Sequence, residues 1–130
     1  MSKAETQRIA SSSTFEQAFG FSRAVRVGRR VIVSGTAPIW PDGSCDPAPA
    51  AQAHRCLEII GEALREAGSD LEHVVRTRMF ILDAGDSDAV GAAHGEVFGQ
   101  ARPAATMVVV AGLLDPRWKV EIEAEAELPE

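Results

Sequence analysis

Residues 102–128 read RPAATMVVVAGLLDPRWKVEIEAEAEL, and the second half of this stretch has the clearest periodicity in the chain. Val120, Ile122, Ala124 and Ala126 alternate with Glu121, Glu123, Glu125 and Glu127. A period of two places the two sets on opposite faces of a β-strand. One face therefore packs on a core and the other presents carboxylates. Residues 104–110 are rich in β-branched side chains, and a loop with Gly112 and Pro116 follows. The stretch predicts two neighbouring strands joined by that loop.

Working outward, DSDAVGAAHGEVFG predicts a helix capped by Asp86 or Ser87, with Val90, Ala93, Val97 and Phe98 on its buried face. Gly91, Gly95 and Gly99 fall four apart. Each glycine weakens a helix, so this spacing predicts close approach of a neighbouring backbone. Residues 74–82 predict a strand with Arg76 and Arg78 on one side and Val75, Thr77, Met79 and Ile81 on the other. A short helical turn capped by Ser69 or Asp70 comes before it. An earlier helix carries Ala53, Leu57, Ile60, Leu64 and Ala67 as one apolar stripe and stops at Gly68. The proline-rich stretch APIWPDGSCDPAP is a loop. AVRVGRRVIVSG predicts a hairpin over 24–27 and 31–34, turning at Gly28-Arg29. Residues 1–14, polar and with the run SSST, are expected to be a flexible arm before a single domain over 15–130.

The order β-β-α-β-α-β-β predicts an α+β fold, a mixed sheet with two helices on one face. Arg26, Arg30, Arg76 and Arg78 are expected to stand on the acidic side of that sheet and balance it. The 130 residues suit one domain, and 45% hydrophobic with 25% charged is an ordinary globular balance. The net charge of −6 argues against a nucleic-acid partner, whose phosphates select a basic surface. The cluster Arg26, Arg29 and Arg30 lies at the hairpin turn and reads as solvated. Cys45 and Cys56 lack CxxC spacing and read as reduced thiols. Without an apolar run long enough for a signal or a membrane span, a cytoplasmic location is expected.

No GxGxxG, P-loop, HExxH or GxSxG motif occurs, and the three histidines have no metal-ligand spacing. No cofactor or metal is expected. With no Tyr in the chain, tyrosine chemistry is excluded. His94 borders the apolar stripe of its helix, as either a packed histidine with one satisfied nitrogen or a pocket acid–base. Glu121 is either a rung of a salt-bridge ladder or a functional carboxylate. Arg23 can grip a carboxylate with its planar fork or lie on the surface. Trp118 and Trp40 can wall a ligand site or cap the core edge.

The order of elements, with FSRAVRVGRRVIVSGTAP, AQAHRCLEIIGEALREAGSDLEHVVRTRMFILD, RPAATMVVVAGLLDP and VEIEAEA, resembles the YjgF/RidA (Rid) family over roughly residues 15–128. The resemblance implies a chorismate-mutase-like fold and a homotrimer with pockets at the subunit interfaces. It also implies hydrolysis of imines and enamines to a keto acid and ammonia, with an arginine holding the substrate carboxylate. Mapped onto this chain, the family's SGQ is Ser34-Gly35-Thr36 and its pocket glutamate is Glu121. Its tyrosine position is Phe21, its arginine position is Ala105 and its frequent cysteine position is Met107. The implied pocket takes Phe21, Ser34, Gly35, Thr36, Thr106, Met107 and Glu121 from one chain and the His94 helix from a neighbour. Ala105 removes the carboxylate grip, and Arg23 or Arg102 is the available substitute. Three readings stay open: a Rid-like imine or enamine hydrolase for an atypical substrate, a non-catalytic trimer that binds a small molecule, and a ribonuclease or translation inhibitor.

Overall fold

The computed structural model describes residues 5–130. Its elements run β1 (Thr6–Ile9), α1 (Thr14–Phe19), β2 (Ala24–Val27), β3 (Arg30–Thr36), α2 (Pro49–Glu66), β4 (Val74–Ile81), α3 (Ser87–Phe98), β5 (Ala104–Val109) and β6 (Val120–Glu127). The six strands form one sheet in the order β1-β2-β3-β6-β4-β5. Among the described residues only the β4–β5 pair is parallel. α2 and α3 pack against each other, and α2 lies on β3 and β6. This is the expected α+β mixed sheet with its two main helices on one face.

The core follows from the two periodicities. Ala53, Leu57, Ile60, Leu64 and Ala67 of the α2 stripe are buried, and so are Val120, Ile122, Ala124 and Ala126 of β6. Gly68 ends α2 in a left-handed conformation, φ 85°, which costs glycine little. Asp70, one of the two expected caps, accepts a hydrogen bond from the Leu71 amide.

Several expectations are corrected. β5 and β6 are not neighbours, because both flank β4. The chain crosses over through α3 to lay β5 parallel to β4, then returns across the sheet. Val75 is exposed rather than in the core, since the register slips by one between Val74 and Arg76 against β6. The slip is a bulge, and it turns the extra residue outward. Arg26 does not join the acidic face. Its register partner Val31 points into the core, and its guanidinium donates to the Ala67 carbonyl at the end of α2, 2.6 Å away. There it satisfies one of the carbonyls a helix leaves open. Gly95 has nothing within 4 Å of where a Cβ would stand, and Gly91 meets only Met107 Cε at 3.9 Å. Within this chain these two glycines permit no close backbone approach.

Residues 1–4 of the expected arm lie outside the described residues. Further along the same segment, Thr6–Ile9 pairs with β2 as an edge strand. The short α1 was missed as well. Ser13 caps it by accepting from the Phe15 amide, Glu16 stands three residues on, and Gly20 closes it at φ 74°. Ser-x-x-Glu is a capping-box spacing, so the signal was present in the serine run. Here Glu16 reaches back to Ser11, accepting from both its amide and its hydroxyl.

Arg102 is the only non-glycine residue among those described with positive φ, at 49°. It follows α3 and its amide donates to the Phe98 carbonyl. Holding a side chain in the left-handed region costs on the order of 1 kcal/mol. Arg102→Gly is therefore expected to raise stability by about 0.5–1 kcal/mol, or roughly 2–4 °C in midpoint. Calorimetry checks this; a lower midpoint would show that the arginine side chain offsets its backbone strain.

Candidate functional site

β3 bulges where it meets β6: Val33 pairs with Ala124, but Thr36 pairs with Ile122. Three residues of β3 thus advance while β6 advances two. The bulge returns Thr36 to the core, where it is fully buried and donates to the Ser34 carbonyl at 2.8 Å. Ser34 and Gly35 remain half-buried, and Gly35 faces Glu121. A Cβ at Gly35 would stand 2.8 Å from Glu121 Oε1, so only glycine leaves the carboxylate its place. Bulges commonly re-aim a strand beside a functional site.

The end of α1 and the start of β2 bring the remaining groups. Ser34 Oγ donates to the Ser22 carbonyl at 2.7 Å, and the Ser34 amide donates to the Arg23 carbonyl at 3.0 Å. Arg23 Nη2 donates to the Gly35 carbonyl at 2.5 Å, while its Nε is enclosed without an acceptor. Phe21 is exposed on one wall of a recess of about 440 Å³ shared with Ser22, Glu16 and the serine run.

Burial and neighbouring charges set Glu121 apart within this constellation. Burial raises its pKa above the ordinary carboxylate range; Arg23 pulls it down and Glu123 pushes it up. Arg23 is lowered by burial and supported by Glu16 and Glu121. Proton affinity moved toward neutrality makes a carboxylate a better base. Arg23→Gln removes the cation that favours ionised Glu121. The Glu121 midpoint is therefore expected to move further up, readable by carbon-13 NMR titration of the side chain. An unchanged or lower midpoint would show that the two groups are not coupled.

The structure gathers Arg23, Ser34, Gly35 and Glu121, with Phe21 at the adjoining recess. It does not bring in the others. His94 lies on the helix side of the sheet, its Nε2 2.8 Å from Thr77 Oγ1 and its ring against Phe98. Burial lowers its pKa, which favours the neutral, packed form. Trp118 is buried, with an enclosed Nε1 that has no partner. Ala105, Thr106 and Met107 lie on the edge strand β5, with β4 between them and β6. Ala105 pairs with Thr77, and Thr77 pairs with Ala124. Two strand spacings and three residues separate Ala105 from Glu121, roughly 14 Å. Sequence reasoning missed Glu16, a buried carboxylate whose charge supports Arg23. Among the described residues there is no group of three or more His, Cys, Asp or Glu able to hold a metal ion, and no helix long and apolar enough to cross a membrane.

A bulged strand facing a half-buried carboxylate beside a guanidinium, on an α+β mixed sheet with two helices on one face, is the architecture of the YjgF fold. The endoribonuclease L-PSP family model matches residues 11–128, and the chain belongs to this family, also called YjgF/RidA. The chain is 40% identical to a Mycobacterium tuberculosis member of the YjgF/YER057c/UK114 family whose crystal structure superposes with a TM-score of 0.88, covering 95% of this chain and 100% of that one. It is 41% identical to an uncharacterized Streptomyces coelicolor protein, over 97% of this chain and 95% of the relative. It is 33% identical to the mouse 2-iminobutanoate/2-iminopropanoate deaminase, over 92% and 90%.

Proposed function

We propose that the chain acts as a cytoplasmic homotrimer whose interfacial pocket hydrolyses an imine or enamine lacking a strong carboxylate. Glu121 carries this reading: a half-buried carboxyl of raised proton affinity, seated over Gly35 and beside Arg23. It is the one group here suited to take a proton from water. Water oxygen adds to the imine carbon, the C=N electron pair moves to nitrogen, and nitrogen is protonated. The resulting carbinolamine then loses ammonia as its hydroxyl proton leaves and the carbonyl forms. Imine and water thus become carbonyl compound and ammonia, and Glu121 returns each proton it takes. Similarity to the 2-iminobutanoate/2-iminopropanoate deaminases supports the reaction class. Ala105, where the resemblance implies an arginine, turns the substrate away from small imino acids.

The edge of the sheet supports the assembly. β5 leaves its outer edge unpaired and exposes Val108 and Val109 at 42% and 55%. A neighbouring subunit would cover that edge and bring β5 toward the Glu121 pocket. His94 is then a packing residue rather than a second base. A non-catalytic binding trimer is the second reading, favoured by Phe21 and Ala105, which supply neither hydroxyl nor charge. RNA cleavage is disfavoured by the net charge of −6.

The test generates an uncharged imine in situ and follows its loss. Wild type is expected to exceed the buffer rate and Glu121→Gln to fall to it, with both eluting at three chain masses by light scattering. A wild type that binds the imine without turnover would establish the binding reading. A single-chain mass would remove the interfacial pocket altogether.

A further inference from the structure

Among the described residues Glu16 is the only buried carboxylate, with 7% of its surface exposed. A buried charge is costly unless it is hydrogen-bonded and answered by a cation. The hydrogen bonds come from Ser11, whose amide donates to Oε1 at 2.9 Å and whose hydroxyl donates to Oε2. Both donors are neutral. The cation that answers Glu16 is Arg23, and the main chain fixes the two positions relative to each other. The Phe21 amide donates to the Glu16 carbonyl at 2.9 Å, and the Arg23 amide donates to the Ile9 carbonyl at 2.8 Å. All of these bonds lie within one chain and need no neighbouring copy.

Arg23 answers two carboxylates. Burial lowers its pKa, while Glu16 and then Glu121 raise it. Its fork rests on neither: among the described residues Arg23 makes no ion pair, and Nη2 donates to the Gly35 carbonyl at 2.5 Å. Glu121 is seated against that same Gly35. Its other charged neighbour is Glu123, and the Cys56 thiol, which faces Arg23 and Glu121 from α2, is kept neutral by burial. Were Arg23 to answer Glu121 alone, attraction in a partly dry site would draw the guanidinium onto that carboxylate and hold it ionised. We propose that Glu16 is a positioning residue of the Glu121 pocket, a fixed second anion that shares Arg23, keeps its fork on the Gly35 carbonyl and leaves Glu121 free to take a proton. The consequence for turnover rests on the reading of Glu121 as the base; the arrangement of the three side chains does not.

Glu16→Gln keeps an oxygen for Ser11 to donate to and removes the charge. Carbon-13 titration of the full chain, without substrate, is expected to show the Glu121 midpoint moving down. In an Arg23→Gln background the same substitution should leave the midpoint where Arg23→Gln alone puts it, because Glu16 acts through Arg23. A general loosening of the pocket would instead hydrate Glu121 and lower its midpoint in both backgrounds. Glu16→Asp retains the charge and should retain the wild-type midpoint. The wild type gives a reading that needs no variant to fold: nitrogen-15 signals of the Arg23 guanidinium should stay in place as Glu121 ionises. In the imine assay Glu16→Gln is expected to lower kcat about three- to tenfold with KM unchanged. A midpoint that fails to fall in Glu16→Gln, an equal fall in both backgrounds, Arg23 signals that move with the Glu121 titration, or a rise in KM with kcat unchanged would overturn the role given to Glu16. A wild type without turnover would overturn the hydrolase reading alone, and the titrations would still decide the place of Glu16.

Discussion

Ala105→Arg combined with Phe21→Tyr is expected to raise turnover of a short imino acid by about 10- to 100-fold. A charge-assisted, bidentate grip on a substrate carboxylate is worth roughly 1.5–3 kcal/mol, and each 1.4 kcal/mol is a factor of about ten. Within one subunit the new arginine stands too far from Glu121 to share a ligand with it, since β4 lies between. The gain therefore has to cross a subunit interface. Two consequences distinguish it from a local effect: it should vanish when the assembly is dissociated, and Glu121→Ala in the double-mutant background should abolish it. A coupled assay of imine loss with light scattering on the same samples measures both. A folded, trimeric double mutant without gain would place the divergence beyond positions 21 and 105. Wild type that matches an arginine-bearing relative on imino acids would show that Ala105 is no deficit.

This dependence on assembly bears on what the sequence could reveal. The alternation from Val120 to Glu127 and the α2 stripe were legible, because a buried face imposes its period directly on the chain. The hairpin at Gly28 was legible for the same reason. β1 was not: Thr6, Gln7 and Arg8 are exposed and only Ile9 is buried, so an edge strand left no alternation to find. The adjacency of β5 and β6 was misread because closeness along the chain was taken for closeness in the sheet. Of the site, Ser34, Gly35 and Glu121 could be placed by likeness to a family, but their meeting depends on the bulge between Val33 and Thr36. A bulge is a register property of two strands, and neither strand's pattern announces it. That bulge put Thr36 in the core, and the Val74/Arg76 slip exposed Val75.

Gln52 is the sharpest case of a residue hidden by pattern reading, and its loss should cost the most stability. It lies on α2 among the apolar stripe and is fully buried. Its Nε2 donates to the carbonyls of Asp46 and Arg117 at 2.8 and 2.9 Å, and its Oε1 accepts from the Lys119 amide at 2.7 Å. One amide therefore ties the loop before α2 to the loop that enters β6. Gln52→Ala leaves the Lys119 amide without a partner, leaves the Asp46 and Arg117 carbonyls with only long contacts from the Cys45 thiol, and opens a cavity. Each unsatisfied buried group costs about 1–3 kcal/mol, so a total loss of roughly 3–5 kcal/mol is expected, a fall of about 10–20 °C in midpoint. Gln52→Leu restores volume without restoring any of the three bonds and should recover no more than about 1–2 kcal/mol of the loss. Thermal and urea unfolding measure both variants; a loss below about 1 kcal/mol for Gln52→Ala would mean that water replaces the amide at no cost. The same bonds fix Lys119, two residues before Glu121. Gln52→Leu should therefore depress any Glu121-dependent turnover at temperatures where it remains folded, which a purely global loss of stability would not do.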